Sequence, residues 1–455
     1  RARCQARGER GGGGDFASKT AIVVLSCQRP EYLEKTLTSL FKLDGVEDHT
    51  VFISQDGSHG GVQEVAMRYV KGAGGKVKHV FNNMRQNHAD KGDQAAVHYI
   101  ADHYKFVLTH VFDREEGYDA AVLLEEDMQV SPDFLQLFRD TRPLLDQDDT
   151  IMCVSSWNDN GYKAMDLDPR RLFRSGFFPG LGWMLRRQLW DELKDKWPKS
   201  QWDHWMRVDS QSQGRDCIVP EVSRNHNIGV EGATVHSSAF TSRLQNIAFS
   251  EVPPKPFGDL SYLLKAKYTS YVMDLVQQSA KVSFSKAMES KGGFGAKGTV
   301  TRVGYIREDW HKIAERAGLY VSQWPRGHFE HLVIVRKGGA TLLLFDKRQC
   351  PLAPDGEGER PGELFITKGA QGEDCDTTCR QSGRKCDKRW FDRVNNCKDL
   401  SANFPCQSCS YEVGPDIPVY VSDLRHPNGG VCLITDAIST CGARHHATSR
   451  LCPCV

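Results

Sequence analysis

Three adjacent carboxylates, Glu125-Glu126-Asp127, close an apolar run, Ala120-Ala-Val-Leu-Leu124. Side chains this close repel one another unless a cation sits among them. Hard oxygen donors suit Mn²⁺ or Mg²⁺, which take one or two carboxylates together with phosphate oxygens and water. Transfer of a sugar from a nucleotide diphosphate needs such a centre, because the cation offsets charge on the departing diphosphate. Taken alone, the triplet also reads as a solvated acidic turn or an N-cap ahead of a helix near Pro132. A second acid lies between indoles in Trp202-Asp203-His204-Trp205. There Asp203 could act as general base toward a hydroxyl, or His204 could, since its ordinary pKa needs less perturbation. Spacing alone favours two core tryptophans with Asp203 capping a helix. Arg29 could hold a phosphate or a base edge, or form a surface salt bridge. Asp56, in Gln55-Asp56-Gly57, could accept from a uracil N–H or close an Asx turn. His103 lies in a helical stretch, where a lone histidine reads as packing.

The elements that must carry these residues are short β-branched and aliphatic runs alternating with helical periodicity. Thr20-Ala-Ile-Val-Val-Leu-Ser26 and Thr50-Val-Phe-Ile-Ser54 read as buried parallel strands, joined by a helix opened by Arg29-Pro30. Helical pattern over 62–70, a strand over 77–81, a long helix over 93–111 and the Ala120 strand follow. Alternation of this kind predicts an α/β fold with a mostly parallel open sheet flanked by helices, which binds ligands beyond the carboxyl ends of its strands. Three of those ends carry Arg29, Asp56 and the acidic triplet. Residues 155–221 turn rich in Trp, Gly and Pro, as in Phe178-Pro-Gly-Leu-Gly-Trp183, and such loops suit pyranose rings. A helix over 260–280, a glycine-rich linker over 291–298 and a small α+β piece to about 346 come next. No phosphate-cradling GxxxxGK[ST] occurs, and Asn-x-Ser/Thr sequons are absent.

The chain has 455 residues with 59 Lys+Arg against 58 Asp+Glu, a net charge of +1, so no bulk field draws nucleic acid or anionic lipid. Hydrophobic content of 39% with 26% charged residues excludes a disordered chain or a membrane bundle, and no stretch approaches the roughly 18 apolar residues that span a bilayer. The start at Arg1, followed by Gly11-Gly12-Gly13-Gly14, reads as the lumenal or extracellular part of something longer, cut in a flexible stem. Of 15 cysteines, eleven crowd the last 106 residues, from Cys350 to Cys454. That density predicts a disulfide-stapled module and an oxidising compartment. Zinc is the rival, with Cys406-x-x-Cys409 and Cys452-x-Cys454 as half-sites, although no second regular CxxC and no CxxC…HxxxH accompany them. Both 15 and 11 are odd, so at least one cysteine lacks a partner within the chain.

Residues 21–345 resemble glycosyltransferase family 13, which includes N-acetylglucosaminyltransferase I and the protein O-mannose β-1,2-N-acetylglucosaminyltransferase. The resemblance rests on Ser26-Cys-Gln-Arg-Pro30, Ser54-Gln-Asp-Gly57, Val122-Leu-Leu-Glu-Glu-Asp127, Cys153-Val-Ser-Ser-Trp-Asn-Asp-Asn-Gly161, Phe178-Pro-Gly-Leu-Gly-Trp183, Trp202-Asp-His-Trp-Met-Arg207 and Gly214-Arg-Asp-Cys-Ile218, in order. It implies a GT-A fold, Mn²⁺, a UDP-GlcNAc donor, and inverting transfer to a mannose hydroxyl in β-1,2 linkage on a glycoprotein glycan. By motif, Asp127 is implied as metal ligand and Asp203 as catalytic base. Glu125 and Glu126 are implied as donor-sugar and ribose contacts, Arg29, Asp56 and His103 as nucleotide or diphosphate contacts, and Leu181 as the acetamido wall. Cys153 and Cys217 match a family disulfide. The resemblance also implies a Golgi-lumenal type II protein, whose anchor lies outside this chain.

This sequence departs from the family at Gly57, where a cysteine partner of Cys27 is usual, and at His204, which replaces an acid or Met. Glu126 follows the O-mannose branch, and residues 229–240, which should close over the donor, follow neither branch. The late cysteines resemble the C-terminal end of N-acetylglucosaminyltransferase V: Cys375-x3-Cys379-x6-Cys386, then Cys406, Cys432, Cys441 and the Cys452-Pro-Cys454 ending. The expected organisation is a tail over 1–17, a GT-A domain over 18–250, an α+β subdomain over 251–346 and a cysteine-rich module over 347–455. The alternatives are the same fold and chemistry with a different UDP-sugar or acceptor, or a non-catalytic glycan-binding or scaffold protein.

Overall fold

Strand β1 (Thr20–Ser26) is buried along its whole length and pairs in parallel with β2 (Val51–Asp56). Next to β2 lies β3 (Val77–Asn82), also parallel, and on the other side of β1 lies β4 (Ala120–Glu125). Alternate residues of β1 enter two cores. Ile22 and Val24 pack with Ile53, Val122 and Leu124 on one face, while Ala21, Val23 and Leu25 pack with Phe52, Ala121 and Leu123 on the other. Burial on both faces is why these strands read as continuous apolar runs. This computed structural model describes residues 13–72, 74–82, 93–229, 243–289, 293–322, 324–359, 362–435 and 437–455.

After β5 (Met128–Val130) the chain adds β6 (Ile151–Ser155), β7 (Leu172–Ser175), β8 (Trp183–Arg186) and β9 (Asp216–Pro220), giving the order β3-β2-β1-β4-β8-β6-β9-β7. The half of the sheet beyond β4 is mixed. Strand β8 runs antiparallel to β4 and β6, and β7 antiparallel to β9. No crossover helix separates β6, β7 and β8, and parallel neighbours need one. A small pair of β5 with β10 (Asn225–Asn227) completes this body. The helix opened by Pro30 is found as Pro30–Leu40, and the long helix as Asp93–Thr109. Residues 13–17, expected within the tail, belong to the helix Gly13–Lys19, and Phe16 is buried edge-on against His49.

The smaller body is a sheet of β11 (Ala280–Lys281), β12 (Val300–Tyr305), β13 (Leu332–Lys337) and β14 (Ala340–Asp346), packed on the helix Trp310–Ala317. The helix expected over 260–280 is Lys265–Gln278, behind a single turn at Ser261–Leu263. His328 and His331 stack at 5.2 Å where this body meets β7. Burial pushes the His328 imidazole down to about 3 and lowers His331 as well. Below the ordinary histidine value of about 6.5 the unfolded chain therefore takes up protons that the folded chain refuses. Stability is expected to fall as pH drops from 7 to 5, by on the order of 1 kcal/mol for His328 after allowance for its residual solvent contact. Melting curves against pH should flatten in His328→Gln; an unchanged slope would remove His328 from the account.

The last body is a sheet in the order β15-β19-β17-β18-β16, from β15 (Phe365–Lys368), β16 (Ser408–Tyr411), β17 (Val419–Val421), β18 (Val431–Ile434) and β19 (Thr448–Cys454). Disulfides join Cys375 to Cys452, Cys379 to Cys454, Cys386 to Cys441, Cys397 to Cys409 and Cys406 to Cys432. Both candidate zinc half-sites are thus consumed in bridges to other partners. A core this small in aliphatic content needs such staples, each typically worth about 2–4 kcal/mol. Cys350 is not part of the framework. It keeps its thiol in the large core, and residues 347–359 stay on the preceding bodies through Glu357 on Arg302 (2.7 Å), so the module begins after them. Cys153 and Cys217 are bridged across β6 and β9. Among the described residues no helix is long and apolar enough to cross a membrane.

Candidate active site

The carboxyl ends of β1, β2 and β4 open on one cleft of about 770 Å³. Arg29, Asp56, His103, Glu125, Glu126, Asp127, Leu181 and Asp203 all line it. Rather than a solvated acidic turn, the triplet is a buried, bonded cluster. Glu126 accepts from Arg29 Nε at 2.7 Å and from the Cys27 N–H at 2.9 Å. Arg29 Nη2 also reaches Asp127 Oδ2 at 3.0 Å. Burial works against the guanidinium charge, but Asp127 and Glu126 outweigh it and hold Arg29 above its ordinary value. Glu125 accepts from Tyr104 Oη at 2.9 Å; burial, then the Asp127 charge, push its carboxyl up to about 7.

Asp127 Oδ1 is buried and has no hydrogen-bond partner among the described residues. A buried carboxylate oxygen left this way is costly unless something positive meets it. The chain keeps room there, since a Cβ on Gly229 would come within 2.5 Å of Asp127 Oδ2. Glu126 and Glu125 are taken up by Arg29, Cys27 and Tyr104, so Asp127 offers the one buried oxygen of the triplet left, among the described residues, for a hard divalent cation, which suits an ion that keeps phosphate oxygens and water as its other ligands.

On the nucleotide side, Asp56 accepts from Asn82 Nδ2 of β3 at 3.1 Å. His103 Nε2 lies 2.8 Å from Ser54 Oγ. It is buried, as packing would have it, yet on the cleft wall. Across the cleft, Gln201 adopts a left-handed backbone (φ 51°) and starts the short helix Trp202–Met206. Trp202 stacks at 4.0 Å on Tyr104, and Trp183 and Trp197 lie beside it. The tryptophans are core, as spacing suggested, but the N-cap position falls to Gln201; Asp203 stands in the first turn with 36% of its side chain open and its Oδ2 3.2 Å from Arg207 Nη2. Burial alone would raise this carboxyl, but the Arg207 and His204 charges bring it below the ordinary aspartate value.

Sequence reading missed the remaining wall. Arg207 could have been found, four residues after Asp203 on the same helical turn. Asp159, Tyr320 and Arg326 could not. Arg326 bonds Asp159 Oδ1 at 2.8 Å and lies over the Tyr320 ring at 3.8 Å, joining the second body to the first across 167 residues of chain. Trp157 Nε1 donates to the same carboxylate at 3.2 Å. Of the divergent stretch 229–240, all beyond Gly229 lies outside the described residues.

An apolar parallel strand that delivers three acids to a cleft, with Trp157 and Trp202 on its wall, suits a transferase acting on a nucleotide sugar, as the GT-A expectation has it. Residues 10–349 match the GNT-I family, and the chain belongs to it. Residues 360–454 match glycosyltransferase family 18. The chain is similar to the alpha-1,3-mannosyl-glycoprotein 2-beta-N-acetylglucosaminyltransferase of Arabidopsis thaliana, 36% identical over 337 residues, 70% of this chain and 71% of that protein. Among solved structures it is similar to S. aureus TarS 1-349 in complex with UDP-GlcNAc (TM-score 0.34, 14% identity, 50% of this chain and 64% of that one). It is also similar to the mannosyltransferase PcManGT of Pyrobaculum calidifontis with GDP-Man and Mn²⁺ (TM-score 0.32, 15% identity, 44% of this chain and 54% of that one).

Proposed function

We propose that this chain transfers GlcNAc from UDP-GlcNAc to a mannose hydroxyl of a glycoprotein glycan, forming a β-1,2 linkage with inversion. The observation that carries the reading is the meeting of Arg29, Asp56, His103, Glu125, Glu126, Asp127 and Leu181 in one cleft with Asp203. Arg29, Asp56 and His103 would take the nucleotide and diphosphate, Glu125 and Glu126 the sugar and ribose hydroxyls, and Leu181 the acetamido methyl. Asp127, with its unpartnered buried oxygen, would hold Mn²⁺, which when bound supplies charge opposite the leaving diphosphate. Asp203, kept ionised by Arg207 and His204, takes the proton of the mannose hydroxyl. The oxygen attacks the anomeric carbon, and the bond from that carbon to the phosphate oxygen breaks, its electron pair leaving with UDP. A single displacement of this kind inverts the centre. The disulfides and the glycoprotein named for the relative support a reaction in the secretory pathway, in our reading the Golgi lumen.

The test is UDP release with Mn²⁺ across a panel of UDP-sugars, with and without mannosides. Release from UDP-GlcNAc that rises with a mannoside is expected. Release from another UDP-sugar would keep the chemistry and replace the donor. Folded protein that binds no donor and releases no UDP would leave a glycan-binding protein.

A further inference from the structure

The helix Trp202–Met206 is gripped from two sides, and one of them is the cysteine-rich module. On the cleft side Trp202 sits in the indole stack and Arg207 Nε donates to the Phe178 carbonyl at 3.1 Å. On the far side Val208 is buried in the module's own core, among the disulfide sulfurs and Phe404. Between these anchors His204 stacks on Tyr411 of β16, with ring centroids 5.1 Å apart and planes 29° off parallel. His204 lines the cleft and neighbours Asp203, with Nε2 4.0 Å from its carboxylate. Two non-glycine left-handed residues, Gln201 (φ 51°) and Gln213 (φ 52°), bracket the segment. Backbone of that kind persists where surrounding packing over-determines it. A five-residue helix has little cohesion of its own, so its placement is set by what it packs against.

We propose that Tyr411 is a positioning residue for the transfer reaction: its ring, stacked on His204, fixes the helix that presents Asp203 to the acceptor hydroxyl. The cysteine-rich module is then a working part of the acceptor side of the site. Tyr411 is not on the cleft wall and acts through His204, one of the positions at which this chain departs from the family pattern. The proposal rests on the reading of Asp203 as base.

Tyr411→Leu keeps apolar bulk and removes the ring, and Tyr411→Phe keeps the ring. With saturating UDP-GlcNAc and mannoside, Tyr411→Leu is expected to lose about tenfold in kcat with donor Kd and melting temperature near the parent's, and Tyr411→Phe to stay within about threefold. A double-mutant cycle with His204→Ala isolates the route: the double variant should be no worse than the poorer single one. Wild-type kcat in Tyr411→Leu, or losses that multiply in the double variant, would overturn the proposal. If instead Asp203→Asn retained activity while Tyr411→Leu lost it, the assignment of the base would fail and the coupling of module to cleft would stand.

Discussion

Asp203→Asn is expected to lower kcat for GlcNAc transfer about a thousandfold while leaving UDP-GlcNAc affinity near the parent's. The amide has the carboxylate's size and can still accept from Arg207, but it cannot take a proton, and a positioned general base is worth about 10²–10⁴ in rate. The fold should not suffer. Trp202 and Trp205 hold the helix from within, and the ion pair to Arg207 is partly open to solvent, where such pairs are worth about 1 kcal/mol or less. Because Arg207 and His204 hold the carboxyl below its ordinary value, the parent should keep its base ionised, and its activity, well down the acidic side. Steady-state kcat at saturating substrates, paired with calorimetric donor binding, checks the first part. Activity within threefold of the parent would move the role to His204, 4.0 Å away on the same wall.

Asp127→Ala is expected to abolish metal-dependent donor binding and lower transfer by about 10²–10³ or more, the scale of removing electrostatic stabilisation of a leaving group. The sign of the stability change separates this role from a structural one. Asp127 carries a buried oxygen with no partner among the described residues, and its removal relieves a desolvated charge beside Glu125 and Glu126. Arg29 keeps its 2.7 Å bond to Glu126. The variant should therefore melt at or above the parent temperature without metal, and Mn²⁺ should no longer raise its melting point. A destabilised variant with an intact Mn²⁺ response would assign Asp127 to holding Arg29 and leave the metal to other residues.

Strands β1, β2 and β4 were legible because a sheet buried on both faces demands unbroken apolar runs, and 20–26, 51–54 and 120–124 have them. The acids were legible as a candidate site because three adjacent carboxylates repel one another unless a cation sits among them, while the triplet alone reads equally as a solvated turn. The cysteine framework was legible as a framework, though not as pairs: several connectivities suit the same spacing, and only packing brings Cys375 to Cys452 or takes Cys350 into a different core. The reversal of β8 escaped, since a four-residue strand carries no mark of direction. So did the helix around Phe16, one buried aromatic in a run of glycine and polar residues.

What the sequence determined by itself was therefore whatever burial and charge write into a short window: the strands, the acids at their ends, the indoles around Asp203 and an oxidising environment. The tertiary structure alone decided which buried oxygen of the triplet lacks a partner among the described residues, that Arg326 and Tyr320 join Asp203 on the cleft wall, and that Tyr411 reaches His204 across 207 residues of chain. These are contacts between separately packed bodies. No local pattern encodes them, because each partner is satisfied in its own segment by ordinary polar or aromatic character, and the approach is fixed by how whole cores dock.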